Sequence, residues 1–182
     1  MYYMVQNYNT LSTTSVFFDF PTKNHYLKGI SREIKLAHTS VKNDLIKLKK
    51  DNLIIEEIEI KASRKFPTYK ANLNGTNYRR EKKIYNLKQI INSELIEFIE
   101  ERLMPKSIIL FGSYQKGEDI ETSDLDLFVE CKKEELDLKK FERKLKRSIE
   151  LHFSSHFNDL GKELKNNILN GVILFGYLEV FK

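Results

Sequence analysis

The stretch that decides the fold of the C-terminal half is residues 108–127, which read IILFGSYQKGEDIETSDLDL. Its first four residues are a continuous apolar run, which predicts a strand buried on both faces of a sheet. Gly112 and Ser113 follow at once, and glycine permits the close backbone approach that a phosphate-binding turn needs. Hydroxyl and backbone N–H groups just past a strand can hold the oxygens of a triphosphate.

Two aspartates open the next predicted strand, residues 124–129. Residues i and i+2 of a strand project to the same side, so Asp124 and Asp126 aim two carboxylates at one point. Unpaired carboxylates this close repel each other unless a cation lies between them. Mg²⁺ prefers oxygen ligands and is typically held by one or two carboxylates plus substrate phosphates. The pattern therefore predicts a magnesium site for phosphoryl or nucleotidyl transfer.

The combined pattern, Gly-Ser-x-x-x-Gly followed by Ser-Asp-x-Asp-Leu, resembles the minimal nucleotidyltransferases of the DNA polymerase beta-like superfamily. The resemblance covers about residues 85–182. It implies a small α/β domain with a mixed sheet, one or two Mg²⁺ ions, and a nucleoside triphosphate substrate, with ATP favoured. It also implies five nucleotide-binding residues, which are Gly112, Ser113, Lys116, Gly117 and Ser123.

Two positions depart from that family's pattern. Lys116 stands where the family usually has arginine; it keeps the positive charge but loses the planar fork of the guanidinium. Glu150 stands where the family has a third aspartate, and we expect it to help Asp124 and Asp126 hold the metal and to accept a proton. The alternative for Glu150 is a solvated surface carboxylate. His152 and His156 lie nearby but are weaker ligand candidates, because Mg²⁺ prefers oxygen.

The front of the chain, residues 1–76, predicts a winged helix-turn-helix domain. Apolar spacing indicates helices over 10–18 and 26–36, and a third helix capped by Thr39 or Ser40. A hairpin of strands 53–60 and 67–73 is predicted to follow, with a basic turn over 62–65. The arrangement, over roughly residues 8–75, resembles the winged helix-turn-helix domains of bacterial and archaeal transcription regulators.

The charge is unevenly distributed along the chain. Residues 1–80 carry a net charge of +7, whereas residues 81–182 carry −2. A basic half favours an anionic partner, and we expect duplex DNA with the third helix in its major groove. The alternatives are a solvated lysine-rich surface, or a winged helix used for dimerisation or packing. The candidate DNA contacts are Ser40, Lys42, Asn43, Lys47, Lys50, Arg64 and Lys65.

The remaining organisation follows from a few local signals. A connecting helix is predicted over 77–104, ended by Pro105, and the nucleotidyltransferase domain over 105–182. Cys131 is the single cysteine, so a reducing, cytoplasmic compartment is expected. The sequence shows neither a membrane-spanning run nor a basic-then-apolar leader at its N-terminus.

The predicted fold class is therefore α+β, with a winged helix-turn-helix followed by a small α/β nucleotidyltransferase domain. The predicted function is Mg²⁺-dependent transfer of a nucleotide, AMP from ATP being favoured, to a protein or nucleic-acid acceptor. Family members of this size often act as antitoxins, so the resemblance also implies a HEPN-type protein partner; a homodimer is left open. The alternative is a DNA-binding regulator whose nucleotidyltransferase-like domain senses nucleotide or mediates assembly.

Overall fold

The computed structural model describes residues 8–181 of the chain. The chain divides into two compact units, residues 1–82 and 83–182, and the boundary falls within one helix. The first seven residues of the predicted domain 1–76, and part of the N-terminus on which the leader prediction rests, lie outside the described residues. The protein is of mixed α and β structure, as predicted.

Within the described residues, the N-terminal unit begins with three helices followed by a β-hairpin. The elements are α1 (Tyr8–Asp19), α2 (Leu27–Ile34), α3 (His38–Lys50), β1 (Ile54–Lys61) and β2 (Arg64–Ala71). The two strands are antiparallel. The core of this unit collects the apolar stripes of the helices, and its buried residues include Val16, Phe17, Ile30, Val41, Leu45 and Leu48.

The hairpin turns more tightly than the sequence indicated. Ala62 and Ser63 form a two-residue turn with φ angles of 45° and 65°, the left-handed backbone that suits the right-handed twist of paired strands. Arg64 therefore pairs with Lys61 as the first residue of β2, and Lys65 pairs with Ile60. The predicted turn over 62–65 was too long, because neither Ala62 nor Ser63 is a typical residue for this kind of turn.

The start of α3 also differs from the prediction. Ala37 is the N-cap residue, with extended backbone angles, and the helix begins at His38. Thr39 and Ser40 lie inside the first turn, so the prediction that one of them caps the helix was wrong. The buried face of α3 includes a carboxylate, Asp44, which accepts hydrogen bonds from the hydroxyls of Thr10 (2.9 Å) and Thr13 (2.8 Å).

We expect Thr13→Val to lower the free energy of unfolding by about 1–3 kcal/mol, because it removes one of the two hydroxyls that solvate the buried Asp44 carboxylate. Urea unfolding followed by circular dichroism measures the change. The matched control is Thr39→Val, an exposed threonine, which should cost no more than about 0.5 kcal/mol. Equal losses in the two variants would show that the Asp44 contacts add nothing to stability.

The predicted connecting helix is two helices. α4 spans Thr76–Ser93 and α5 spans Leu95–Leu103. Glu94 separates them in a left-handed conformation, with φ of 64°. The hydroxyl of Ser93 donates to the carbonyl of Ile90 and accepts from the N–H of Leu95, and such local bonding competes with a continuous helix.

The C-terminal unit is built on a four-stranded mixed sheet in the order β5-β4-β3-β6. Its strands are β3 (Ser107–Phe111), β4 (Leu125–Glu130), β5 (Ile149–Ser154) and β6 (Val172–Gly176). β3 is antiparallel to both β4 and β6, whereas β4 and β5 are parallel. The mixed sheet was predicted and is confirmed.

Helices connect the strands of this sheet. They are α6 (Gly112–Lys116), α7 (Lys139–Leu145) and α8 (Lys162–Leu169), with a short 3-10 turn at Phe157–Asp159. Among the described residues, no helix is long and apolar enough to cross a membrane.

Each face of the sheet has its own hydrophobic core, because side chains alternate along the strands. One core joins residues such as Leu110 and Leu127 to Phe141 of α7. The other core, on the opposite face, contains Ile109, Phe111, Phe128, Phe157 and Ile168. The second face carries the candidate site, since Phe111 is paired with Asp126 across the β3–β4 ladder.

Candidate active site

Gly112 lies directly under the carboxylate of Asp126. Phe111 ends β3 in extended backbone, and Gly112 then turns to a φ of +78°. A Cβ atom at this position would overlap Asp126 Oδ2 and lie 3.1 Å from its Cγ. The site therefore needs glycine for two reasons, the left-handed backbone and the close approach of the carboxylate.

We expect Gly112→Ala to reduce the steady-state rate of catalysis at this site by roughly tenfold to a hundredfold. The new methyl group would displace the Asp126 carboxylate by a distance comparable to 1 Å. Steady-state rates on a fixed acceptor measure this loss. The control is Gly29→Ala, where an added Cβ meets nothing within 4 Å. A Gly112→Ala protein with full activity would contradict the proposed closeness of the two residues.

Residues 112–116 form a single short helix, and Gly117 follows it. Ser113 and Lys116 lie in α6, half-buried and exposed respectively, and Gly117 ends it with a φ of 71°. The N–H of Gly117 bonds to the carbonyl of Tyr114 at 3.3 Å. The structure thus places these predicted nucleotide-binding residues in one turn beside Asp126.

Ser123 bonds to the backbone of its own loop. Its hydroxyl accepts from the N–H of Ile120 at 2.9 Å, and its N–H donates to the carbonyl of Ile120 at 3.0 Å. The serine therefore closes the turn that leads into β4. Ser123 was predicted to bind nucleotide. In the structure its two contacts with Ile120 hold the turn that precedes Asp124 and Asp126.

Three side chains converge on the face of the sheet beside α6. Among the residues that the structure describes, the group with metal-ligand spacing is Asp126, Glu150 and His152, whose ligand atoms lie within 4.8 Å of one another. The parallel register pairs Asp126 with Glu150 and Phe128 with His152, which brings the three onto one face. His152 Nε2 is 3.4 Å from Asp126 Oδ1 and 3.8 Å from Glu150 Oε1.

The Asp126 carboxyl is electrostatically poised to accept a cation. Burial raises its pKa above the usual value, and the nearby carboxylates of Glu150 and Asp124 raise it further, whereas His152 opposes the shift. A group that burial and like charges disfavour as an anion gains from a neighbouring positive charge.

Asp124 points to a different partner. It is exposed and lies immediately before β4, where its carboxylate accepts a hydrogen bond from the Ser148 hydroxyl. It remains close enough to affect the pKa of Asp126. Of the three predicted ligand candidates, Asp126 and Glu150 therefore lie together, whereas Asp124 is hydrogen-bonded to Ser148.

His152 lies closer to the carboxylates than the sequence indicated. It was predicted to be a weaker ligand candidate than they are; in the structure its Nε2 atom faces two of them, and its ring packs on Phe111 with 5.1 Å between ring centroids. The signal was available, because His152 is two residues after Glu150 on one strand and so shares its face. His156, the other histidine considered, lies beyond the end of β5 and is exposed.

A buried ion pair links the loop after α6 to the segment that precedes β5. Arg147 bonds to Asp119 through Nε (3.1 Å) and Nη2 (2.9 Å), with exposed side-chain fractions of 3% and 0%. Asn86 of α4 donates to the other Asp119 oxygen and to the carbonyl of Tyr114, both at 2.8 Å. This network ties the loop after α6 to the residue that precedes Ser148.

The donor set fits a divalent cation. Asp126 and Glu150 supply the carboxylate oxygens that Mg²⁺ prefers, and His152 adds a nitrogen donor. The side chains of Asp126 and His152 are about three-quarters buried, and that of Glu150 is 57% exposed, so the group is open to solvent on one side.

Comparisons with known proteins found similarities over the part of the chain that carries the site. Residues 92–175 match the family model described as a nucleotidyltransferase domain. A relative from Methanocaldococcus jannaschii, named as a protein adenylyltransferase, is 43% identical over 51 residues, which are 28% of this chain and 58% of the relative. The chain thus spans little more than half the length of that relative. Both matches are to proteins or domains described by nucleotidyl or adenylyl transfer.

One solved structure was also found to be similar. It is described as a possible transcriptional regulator from Methanosarcina mazei Go1, with a TM-score of 0.38 and 17% sequence identity. The match covers 54% of this chain and 80% of that chain.

Proposed function

We propose that this protein transfers a nucleoside monophosphate, AMP from ATP being favoured, to an acceptor hydroxyl in a reaction that depends on a divalent cation. One observation carries the proposal: the Asp126 carboxylate lies against the Gly112 backbone and converges with Glu150 and His152. The match to the nucleotidyltransferase domain supports the reaction class. The relative's name supports adenylyl as the transferred group.

The residues of the site divide the work of this reaction. Gly112 and Ser113 would hold the β- and γ-phosphates through backbone N–H groups and the serine hydroxyl. Asp126, Glu150 and Asp124 would hold Mg²⁺ or a similar cation. That cation would supply positive charge to the triphosphate and to the developing charge at the α-phosphate. Lys116 is exposed on α6 and would add a positive charge near the phosphates.

The proposed step is an in-line displacement at the α-phosphate. The acceptor oxygen forms a bond to the α-phosphorus as the bond to the β-phosphate bridging oxygen breaks, and pyrophosphate leaves with the electron pair. Glu150 accepts the proton of the acceptor hydroxyl, a role that its exposed side chain permits.

The acceptor is proposed to be a protein, with a nucleic acid as the alternative. A protein acceptor is favoured by the name of the relative, and the sequence resemblance adds a HEPN-type toxin as a specific candidate. The test is to incubate base-labelled ATP and Mg²⁺ with protein, RNA and DNA acceptors. Labelling of at least one acceptor is expected, and it should be lost in Asp126→Asn but kept in Glu134→Gln, an exposed loop carboxylate. Equal labelling by both variants, or none by the wild type, would refute the proposal.

A second function is proposed for the N-terminal unit, the binding of duplex DNA by a winged helix. Lys42, Asn43, Lys47 and Lys50 are exposed along one side of α3. The helices are followed by the β1–β2 hairpin, and an isolated antiparallel bridge pairs His25 with Tyr69 of β2. That element order is typical of winged helix-turn-helix domains. Arg64 and Lys65, exposed beside the turn, would contact the phosphate backbone.

We expect Lys42→Ala with Lys47→Ala to weaken binding to duplex DNA and to lower the slope of log K against log salt by about 2, since each phosphate contact contributes about 0.9. Fluorescence anisotropy at several salt concentrations measures both quantities. The matched control is Lys132→Ala with Lys133→Ala, two exposed lysines of the C-terminal unit. An unchanged slope in the α3 variant would remove α3 as the DNA-contacting helix. DNA binding together with complete lack of transfer would instead favour a regulator that only senses nucleotide.

A further inference from the structure

We propose that His152 is a direct nitrogen ligand of the cation, and that the site therefore binds first-row transition metals such as Mn²⁺ and Co²⁺ in preference to Mg²⁺. The proposal relies on the proposed function only for the location of the cation. It concerns the chemistry of the donor set that this chain assembles, in which an imidazole stands beside two carboxylates.

The distances from His152 to the two carboxylates fit a shared cation. A ligand atom lies about 2.1 Å from a bound divalent cation of this kind, so two ligands of one cation are at most about 4.2 Å apart. His152 Nε2 meets this limit with both carboxylates, at 3.4 Å from Asp126 Oδ1 and 3.8 Å from Glu150 Oε1. A well-made hydrogen bond between His152 and Asp126 would be shorter, near 2.7–3.2 Å. In this structure the 3.4 Å contact is a long hydrogen bond, which a cation bound by both groups would replace.

The fold also holds the His152 ring in place. The β4–β5 register places His152 beside Phe128 and puts it on the same face as Asp126 and Glu150. Its ring packs on Phe111 at an interplanar angle of 56°, and three-quarters of its side chain is buried. The strand position and the packing on Phe111 therefore fix the ring so that its Nε2 atom faces the carboxylates.

The third ligand atom of the converging group is a nitrogen. Among the described residues that group is Asp126, Glu150 and His152, whereas one oxygen of the Asp124 carboxylate is bonded to the Ser148 hydroxyl. An imidazole nitrogen beside two carboxylates favours transition metals over Mg²⁺, which binds through oxygen. Among those metals, Mn²⁺ also retains the affinity for carboxylate and phosphate oxygen that the proposed substrate requires.

The test measures metal binding without turnover. The full metal-free chain is titrated with Mn²⁺, Co²⁺ and Mg²⁺ by calorimetry, alone and with a non-reactive α,β-methylene ATP. His152→Gln is expected to weaken Mn²⁺ and Co²⁺ binding by about tenfold or more and to change Mg²⁺ binding by less than about threefold. His156→Gln is the matched control, since this exposed histidine lies four residues away. It should leave all three affinities unchanged.

A spectroscopic readout makes the assignment direct. Pulsed electron paramagnetic resonance of bound Mn²⁺ should show coupling to one imidazole nitrogen in the wild type and none in His152→Gln. Coupling that is absent from the wild type, or that persists in the variant, would overturn the proposal. Equal weakening of Mn²⁺ and Mg²⁺ in a folded His152→Gln protein would also overturn it. If transfer activity failed while the nitrogen coupling was present, the proposed function would fall and this metal site would stand.

Discussion

Asp126→Asn should abolish nucleotidyl transfer, with a fall in kcat/KM of about a thousandfold or more, while the protein remains folded. Asp126 is the carboxylate that lies against Gly112 and converges with Glu150 and His152. An asparagine keeps the shape of the side chain but cannot neutralise a cation, so the triphosphate loses the charge that stabilises the transition state. Steady-state kinetics with a labelled acceptor measures the loss.

Two companion variants show whether this effect is specific. Asp124→Asn should also reduce transfer, since Asp124 is a proposed ligand held by Ser148. Glu134→Gln removes an exposed carboxylate of the loop after β4 and should change kcat/KM by less than about twofold, because isolated surface substitutions have small effects. If Asp126→Asn and Glu134→Gln had the same activity, Asp126 would not be part of the reacting site.

Arg147→Met should destabilise the C-terminal unit by about 3–5 kcal/mol, because it removes a charged partner of the buried Asp119 carboxylate. Both side chains are at least 97% buried, and the pair is joined by two N–H···O contacts. The chain has no tryptophan, so circular dichroism during urea unfolding is the appropriate probe. The unfolding midpoint should fall accordingly.

The controls for this variant separate charge burial from general damage. Arg143→Met removes an exposed arginine four residues earlier and should cost no more than about 0.5 kcal/mol. Replacing both partners, as Arg147→Met with Asp119→Leu, should recover part of the stability, because both charges of the buried pair are then removed together. Equal costs for Arg147→Met and Arg143→Met would show that the buried pair does not stabilise the unit.

The strands that carry the site could be predicted from the sequence because their signals are local. The apolar run before Gly112 predicted β3, and the Asp-x-Asp alternation predicted β4 to within one residue. Turn and break positions were harder. The Ala62-Ser63 turn and the break at Glu94 have left-handed backbone at residues that usually avoid it, so neither position carries a recognisable signal.

The site itself was predictable only in part. Asp126 and Glu150 were candidates from the sequence, but the convergence of His152 with them depends on the register between β4 and β5, which are joined in parallel by a long crossover. The Asp119–Arg147 pair is 28 residues apart in sequence, and each residue alone resembles an ordinary surface charge. Such pairings follow from tertiary packing, which local periodicity does not encode.

The most direct test of the central claim is the position of the phosphate that is transferred. ATP labelled at the α-phosphate and ATP labelled at the γ-phosphate are incubated separately with the protein, a divalent cation and the acceptor panel. We expect that the α-label alone appears on the acceptor, that pyrophosphate is released in equal amount, and that Asp126→Asn yields neither product. Transfer of the γ-label, or α-labelling that persists in Asp126→Asn, would contradict that claim.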